Sequence, residues 1–167
     1  SAAYAVVAYQ TAWLKYYYPV EFMAALLNSF LGSSEKISQY VSECKAMNIE
    51  VLPPDINESN VKFTVINGKV RFGLAAVKNV GEGAVKSIIV EREKNGMFKD
   101  FRDFCERIDG KDINKRCIES LIKSGAFDSF GVYRSKLMAV FDKQLDAIAQ
   151  ARKRNMEGQL SIFEFGA

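Results

Sequence analysis

Residues Val77 to Ile88 read VKNVGEGAVKSI, with two glycines one residue apart between apolar stretches of helical spacing. Glycine tolerates positive φ and carries no Cβ to hold another molecule off. Gly81 and Gly83 therefore predict a tight hairpin, with a new helix opening near Ala84. The first amides of a helix have no partner within it. Together with the helix dipole they suit an anion, and phosphate is the natural guest. Lys78 and Lys86 flank the turn, whereas Glu82 at its tip opposes an anion there. A hairpin used only for packing would carry the same glycines.

The order apolar residue, Gly, any residue, Gly, small residue is that of the helix-hairpin-helix motif, which grips the sugar-phosphate backbone of DNA without reading bases. On that pattern Lys78, Asn79, Val80, Gly81, Glu82, Gly83, Ala84 and Lys86 are DNA-binding candidates. A degenerate copy follows at Leu121 to Lys136, LIKSGAFDSFGVYRSK. It has one glycine in the hairpin, and Phe127 where a compact version is small. Its candidates are Lys123, Ser124, Gly125, Arg134 and Lys136. Backbone contact and a role as packing partner of the first hairpin are both open for it.

Outward from the hairpins the chain reads as mainly helical. Residues 2–17 have helical composition with few charges, which suits a helix buried against something else. Tyr18 and Pro19 break it, and Pro19 opens a second helix that stops near Gly32. Ser34 is the expected N-cap of a third, whose Ile37, Tyr40, Val41, Cys44 and Met47 share one face. VLPPDINES reads as a loop. Val61, Phe63 and Val65 then alternate with polar residues, Asn67 and Gly68 form a type I′ turn signal, and Val70 and Phe72 return. After the first hairpin a helix ends at Gly96. A short one buries Phe101, Phe104, Cys105 and Ile108, and Asp112 is the expected cap of the next. A last helix from about Tyr133 to Arg154 buries Leu137, Val140, Phe141, Leu145 and Ile148.

Charge is uneven. Residues 1–60 carry 3 basic and 6 acidic side chains, residues 61–154 carry 20 and 12, and residues 155–167 carry none and 2. A basic middle block points to a polyanion. The chain contains no histidine, which removes histidine acid–base catalysis and histidine metal sites. Cys44, Cys105 and Cys117 are far apart and odd in number, and read as reduced core residues. No apolar run approaches the roughly 18 residues of a membrane span. The chain opens on Ser1 directly in a helical pattern, without a leader-like segment, and is read as a piece of a longer protein.

The stretches SAAYAVVAYQTAWLK, YPVEFMAALL, VLPPDINES, VRFGLAAVKNVGEGAV, NKRCIESLIKSGAFD and GQLSIF, in this order, resemble the catalytic subunits of the C-family bacterial replicative DNA polymerases. The resemblance implies a mainly α fold: the helical end of a fingers domain (1–60), one short β-hairpin, then a tandem helix-hairpin-helix DNA-binding domain (61–154). Residues 155–167 would be a flexible tail. There Gln159, Leu160, Ser161, Ile162 and Phe163 resemble the short motif that docks such polymerases on the sliding clamp. The implied partners are double-stranded DNA, the clamp and, through the parent chain, other replisome subunits, in the cytoplasm and with no membrane. The family's catalytic aspartates, and the magnesium they hold, belong to a palm upstream of Ser1. The segment itself is thus expected to hold no cofactor and to extend no primer, although the parent would be a nucleotidyltransferase. Asp100, Asp103, Asp109 and Asp112 read as caps and solvated faces. Two other readings compete: a helical scaffold that binds other subunits without touching DNA, and a base-excision glycosylase with Asp103 at the place of its nucleophilic or helper aspartate.

Overall fold

The computed structural model describes the backbone of residues 1–108 and 113–164, and the side chains of 1–108 and 113–155. The described residues form seven α-helices and one small sheet: α1 (Ala2–Tyr17), α2 (Pro19–Ser29), α3 (Ser34–Ala46), β1 (Val51–Leu52), β2 (Thr64–Ile66), β3 (Lys69–Arg71), α4 (Glu82–Asn95), α5 (Phe101–Arg107), α6 (Lys115–Ser124) and α7 (Arg134–Glu164). The mainly α fold with a short β-hairpin is the one expected. The hairpin turns where Asn67 and Gly68 both take positive φ, 51° and 74°, as a type I′ turn requires.

The sheet has order β1-β3-β2, with β3 antiparallel to β2 and parallel to β1. β1 is a correction, because Val51 and Leu52 were read as loop. Two residues carry no periodicity, and their pairing with Val70 and Arg71 is set by distant chain.

Two buried clusters organise the chain. Met23 and Leu27 of α2, Ile37 and Cys44 of α3, and Phe63 and Val70 of the β-hairpin form the first. The second is larger and joins the elements from Leu74 to Phe141. Asn28 locks α2 to the hairpin: its Nδ2 donates to the Phe63 carbonyl at 2.9 Å, and its Oδ1 accepts from the Phe63 amide at 2.8 Å. Between the clusters, PDINES folds into a polar knot. Asp55 Oδ1 accepts the amides of Asn57 and Glu58 at 2.8 and 3.0 Å, an Asx turn. Ser59 Oγ donates to the Phe72 carbonyl at 2.7 Å. Asn57 exchanges two 2.9 Å hydrogen bonds with the main chain of Phe98. These asparagines supply main-chain partners where no regular ladder exists. At Gly73 the chain crosses its own backbone so closely that a Cβ would lie 2.6 Å from the Lys62 carbonyl carbon.

Arg107 closes the end of α4. Its guanidinium pairs with Glu91 at 2.9 Å and Asp103 at 3.1 Å, donates to the Gly96 carbonyl at 2.7 Å, and lies 4.4 Å from the centre of the Phe98 ring. A cation beside the last carbonyls of a helix satisfies acceptors that α4 itself cannot.

Several expectations move. The N-cap of α3 is Ser33, which accepts the Lys36 amide, not Ser34. The cap of α6 is Asn114, whose Oδ1 accepts the Cys117 amide at 2.9 Å; Asp109 and Asp112 lie outside the described residues. Leu137 and Phe141 are buried as expected and Leu145 and Ile148 partly so, but Val140 is 42% exposed. α1 was expected to be buried, yet none of its residues is; it packs on α2, and its Lys15 pairs with Glu43 of α3 at 2.6 Å. α7 continues past Arg154 to Glu164. Met156, Glu157, Gln159 and Leu160 are strong helix formers, and one glycine at 158 costs about 1 kcal/mol against them.

Candidate nucleic-acid interface

The first hairpin is built differently from its glycine pattern. Its leading arm is only a 3₁₀ turn, Leu74–Ala76. Positive φ falls on Asn79, at 63°, because asparagine tolerates the left-handed region better than other side-chain-bearing residues. Gly81 is extended, at φ −73° and ψ 157°, and is the N-cap of α4. The helix starts at Glu82, two residues before Ala84, and Gly83 lies within its first turn. The expectation that the glycines supply the left-handed turn is thus replaced at Gly81 by an extended cap.

Gly81 then needs another reason. A Cβ there would meet nothing within 4 Å. Neither backbone angle nor packing among the described residues excludes a side chain. What the bare position does is leave the front of α4 open. No side chain caps this end. The Gly81 carbonyl accepts the Val85 amide at 3.1 Å, so the amides of Glu82, Gly83 and Ala84 precede the first closed turn of the helix. Val80, Ala84 and Val85 are buried and fix the hairpin from beneath, while Lys78, Asn79, Gly81, Glu82, Gly83 and Lys86 are exposed. Asn79 Nδ2 donates to Ser120 Oγ at 3.0 Å, tying the tip to α6.

Lys86 does not flank the turn as a bare cation. Its Nζ lies 2.9 Å from Glu82 Oε1. By donating there it holds the Glu82 carboxyl below its ordinary value. This exposed pair is easily exchanged for a stronger anion. Lys78 has no ion-pair partner among the described residues.

The second hairpin is held shut by its own side chains. α6 ends at Gly125, φ 89°, where the Gly125 and Ala126 amides donate back to Ile122 and Leu121 at 3.1 and 3.0 Å. Arg134 Nε donates to Asp128 Oδ1 at 2.9 Å, and one terminal nitrogen donates to the Lys123 carbonyl at 3.1 Å. A Cβ on Gly125 would strike this guanidinium, so the glycine serves both the left-handed cap and the arginine above it. Lys123 pairs with Glu119, and Ser124 Oγ donates to the Leu121 carbonyl at 2.9 Å. Lys136 is exposed at the start of α7. Phe127 is buried, with its ring 4.9 Å from that of Phe101 and 5.0 Å from that of Phe104. The larger residue that marks this copy as degenerate is therefore core. Tyr133, 82% exposed beside the first turn of α7, escaped the sequence reading; its signal is an aromatic residue close behind the hairpin glycine Gly131.

Asp100 and Asp103 are committed to the fold. Asp100 caps α5 through the Asp103 amide at 2.8 Å. Asp103 accepts the Lys99 amide at 3.0 Å and pairs with Arg107, and these bonds hold its carboxyl below the ordinary range. It is a structural acceptor, unsuited to the glycosylase role. Among the described residues no three metal-binding side chains gather. Burial pushes the thiols of Cys105 and Cys117 up to about 12 and about 11, which keeps them unreactive. None of the described helices is long and apolar enough to cross a membrane. The backbone of Gln159–Phe163 belongs to α7; their side chains lie outside the described residues.

Residues 48–137 match the family model described as helix-hairpin-helix motif. The chain is similar to DNA polymerase III subunit alpha of Vibrio cholerae, 48% identical over 164 residues. The same subunit of Thermus aquaticus is 45% identical over 163 residues, and that of Escherichia coli is 44% identical over 164. Each alignment covers 98% of this chain but only 13–14% of the relative, so the chain spans about a seventh of their length. With a family match across both hairpins, and near-complete alignment to one segment of these subunits, the chain belongs to the helix-hairpin-helix family in the form carried by the DNA polymerase III alpha subunits.

Proposed function

We propose that this chain binds duplex DNA through its backbone, without sequence preference, as one part of a replicative DNA polymerase. The observation that carries the reading is the open front of α4: uncapped amides, with a glycine at position 81 that nothing among the described residues requires. A phosphate seated there receives main-chain hydrogen bonds and the positive end of the helix dipole. Lys78 supplies charge, and Lys86 does so once the phosphate replaces it at Glu82. Asn79, Val80, Gly83 and Ala84 shape the seat. At the second hairpin Lys136 is the readiest contact. Arg134, Lys123, Ser124 and Gly125 act mainly by holding that hairpin in shape. In this reading residues 1–60 end a fingers domain and residues 61–154 form the grip. On the same reading nucleotidyl transfer and its magnesium belong to another part of the polymerase, while Asp100, Asp103 and Glu91 serve a cap and the ion pairs of Arg107.

Binding is expected to be weak and to fall steeply with salt, because it is driven by released counterions. Two to four neutralised phosphates give a slope of about −2 to −4 in log affinity against log salt. Anisotropy titrations of unrelated duplexes over a salt series measure it. A flat series or strong preference for one sequence would refute the backbone reading, and no binding at low salt would leave the scaffold reading in its place.

The same proposal gives Gln159–Phe163 the sliding clamp as partner, with Leu160, Ile162 and Phe163 filling an apolar groove and Gln159 and Ser161 at its rim. Docking as an extended peptide requires the last turns of α7 to unwind, which keeps affinity modest. Replacing Ile162 and Phe163 together by alanine is expected to weaken clamp binding by at least about tenfold, since anchors of this kind contribute about 2 kcal/mol each. Titration of the cognate clamp with both chains checks this, and equal binding refutes the motif.

A further inference from the structure

A cavity of about 980 Å³ forms a cleft between the N-terminal elements and the hairpins. Its volume lies at the upper end of the roughly 300–1,000 Å³ usual for ligand clefts. The floor is apolar, from Ile37 of α3, Pro53 after β1, and Phe72 and Val77 ahead of the first hairpin. The rim is basic: Lys78, Arg116 and Lys123 stand around it, with Glu119 as the one acidic lining residue. Lys78 and Asn79 belong both to this rim and to the hairpin tip, and the Asn79–Ser120 hydrogen bond fixes the tip against the cleft wall.

We infer that this cleft receives the unpaired end of a DNA strand whose duplex part is held at the front of α4; the inference rests on the duplex-binding reading above. A paired duplex presents phosphates outward and has no use for an apolar floor. An unpaired strand presents both phosphates and base faces. A cationic groove with an aromatic face for a base to stack on is the arrangement that holds single strands without regard to sequence. Phe72 offers the aromatic face and Pro53 an apolar surface beside it, and Arg116 and Lys78 offer charge to the flanking phosphates. Because the rim is continuous with the hairpin, a strand leaving the duplex enters the cleft without crossing a gap. An acidic, apolar peptide would match the same lining in part, but nothing about the hairpin tip directs one there.

The experiment compares a blunt duplex with the same duplex bearing a short single-stranded extension, by anisotropy with the full chain at one fixed low salt. The extension is expected to raise affinity about tenfold, the worth of a single stacked base. Arg116→Ala should remove that gain and leave blunt-duplex binding unchanged. Ser38→Leu, which fills the cleft from the exposed side of α3 without adding a ring, should do the same. If the blunt duplex binds but the extension adds nothing, or if both variants weaken the two ligands equally, the cleft inference falls and the duplex reading stands. If neither ligand binds, both fall.

Discussion

Phe104→Ala is expected to cost the fold about 3–5 kcal/mol, a large part of the roughly 5–15 kcal/mol that keeps a domain folded. Phe104 is fully buried. Its ring lies 5.1 Å from that of Phe98 and 5.0 Å from that of Phe127, both edge-on, and stacks on Phe101 at 6.5 Å. Phe98 follows the end of α4, and Phe127 follows the end of α6. One side chain of α5 thus bears on both hairpins, and a cavity there has no loose neighbour to collapse into it. Urea denaturation of the two chains measures the loss as a shift in midpoint at constant slope. A change below about 1 kcal/mol would mean that the site repacks and that the aromatic cluster does not brace the hairpins.

Gly81→Val is expected to do the reverse, sparing the fold and removing at least about tenfold of duplex affinity, about 1.4 kcal/mol. Valine adopts φ −73° and ψ 157° without strain, and the space around its Cβ is empty. The loss to the folded chain is the change of N-cap residue, about 0.5–1 kcal/mol. The loss to DNA is steric, since the branched side chain stands where a phosphate would approach the amides of α4. Lys94→Ala, on the last turn of the same helix, is the control and should change affinity little. Circular dichroism and a melting curve separate the two losses. An intact Gly81→Val chain with unchanged affinity would reduce the hairpin to a packing device.

Local chemistry was legible in the sequence, and remote partnership was not. Asn67 and Gly68 announced their turn, and the inward face of α5 followed from spacing alone, because both depend on neighbouring residues. Gly81 and Gly83 announced the hairpin but not its mechanism, since Asn79 had already taken the left-handed turn. The caps at Ser33 and Asn114 were each displaced from the expected residue, because several acceptors stood close together and tertiary packing chose among them. β1 and the Asn57 knot depend on partners at Val70 and Phe98 that no local pattern names. Arg134 read as a free cation beside a hairpin. Only the fold reveals that Asp128 and the Lys123 carbonyl occupy it.

The 31 residues of α7 amount to about 46 Å of rod at 1.5 Å per residue. They begin at the second hairpin and end one residue past Gln159–Phe163. A rod fixes azimuth as well as span: each residue advances the motif by about 1.5 Å and turns it by about 100°. Two residues inserted on the exposed side of α7 swing the motif to nearly the opposite face of the rod while hardly lengthening it. Seven inserted residues bring it back to within about 20° of its first bearing, about 10 Å farther out. Whatever meets the far end of this helix before its last turns unwind therefore meets it at a phase set by the hairpin at the near end.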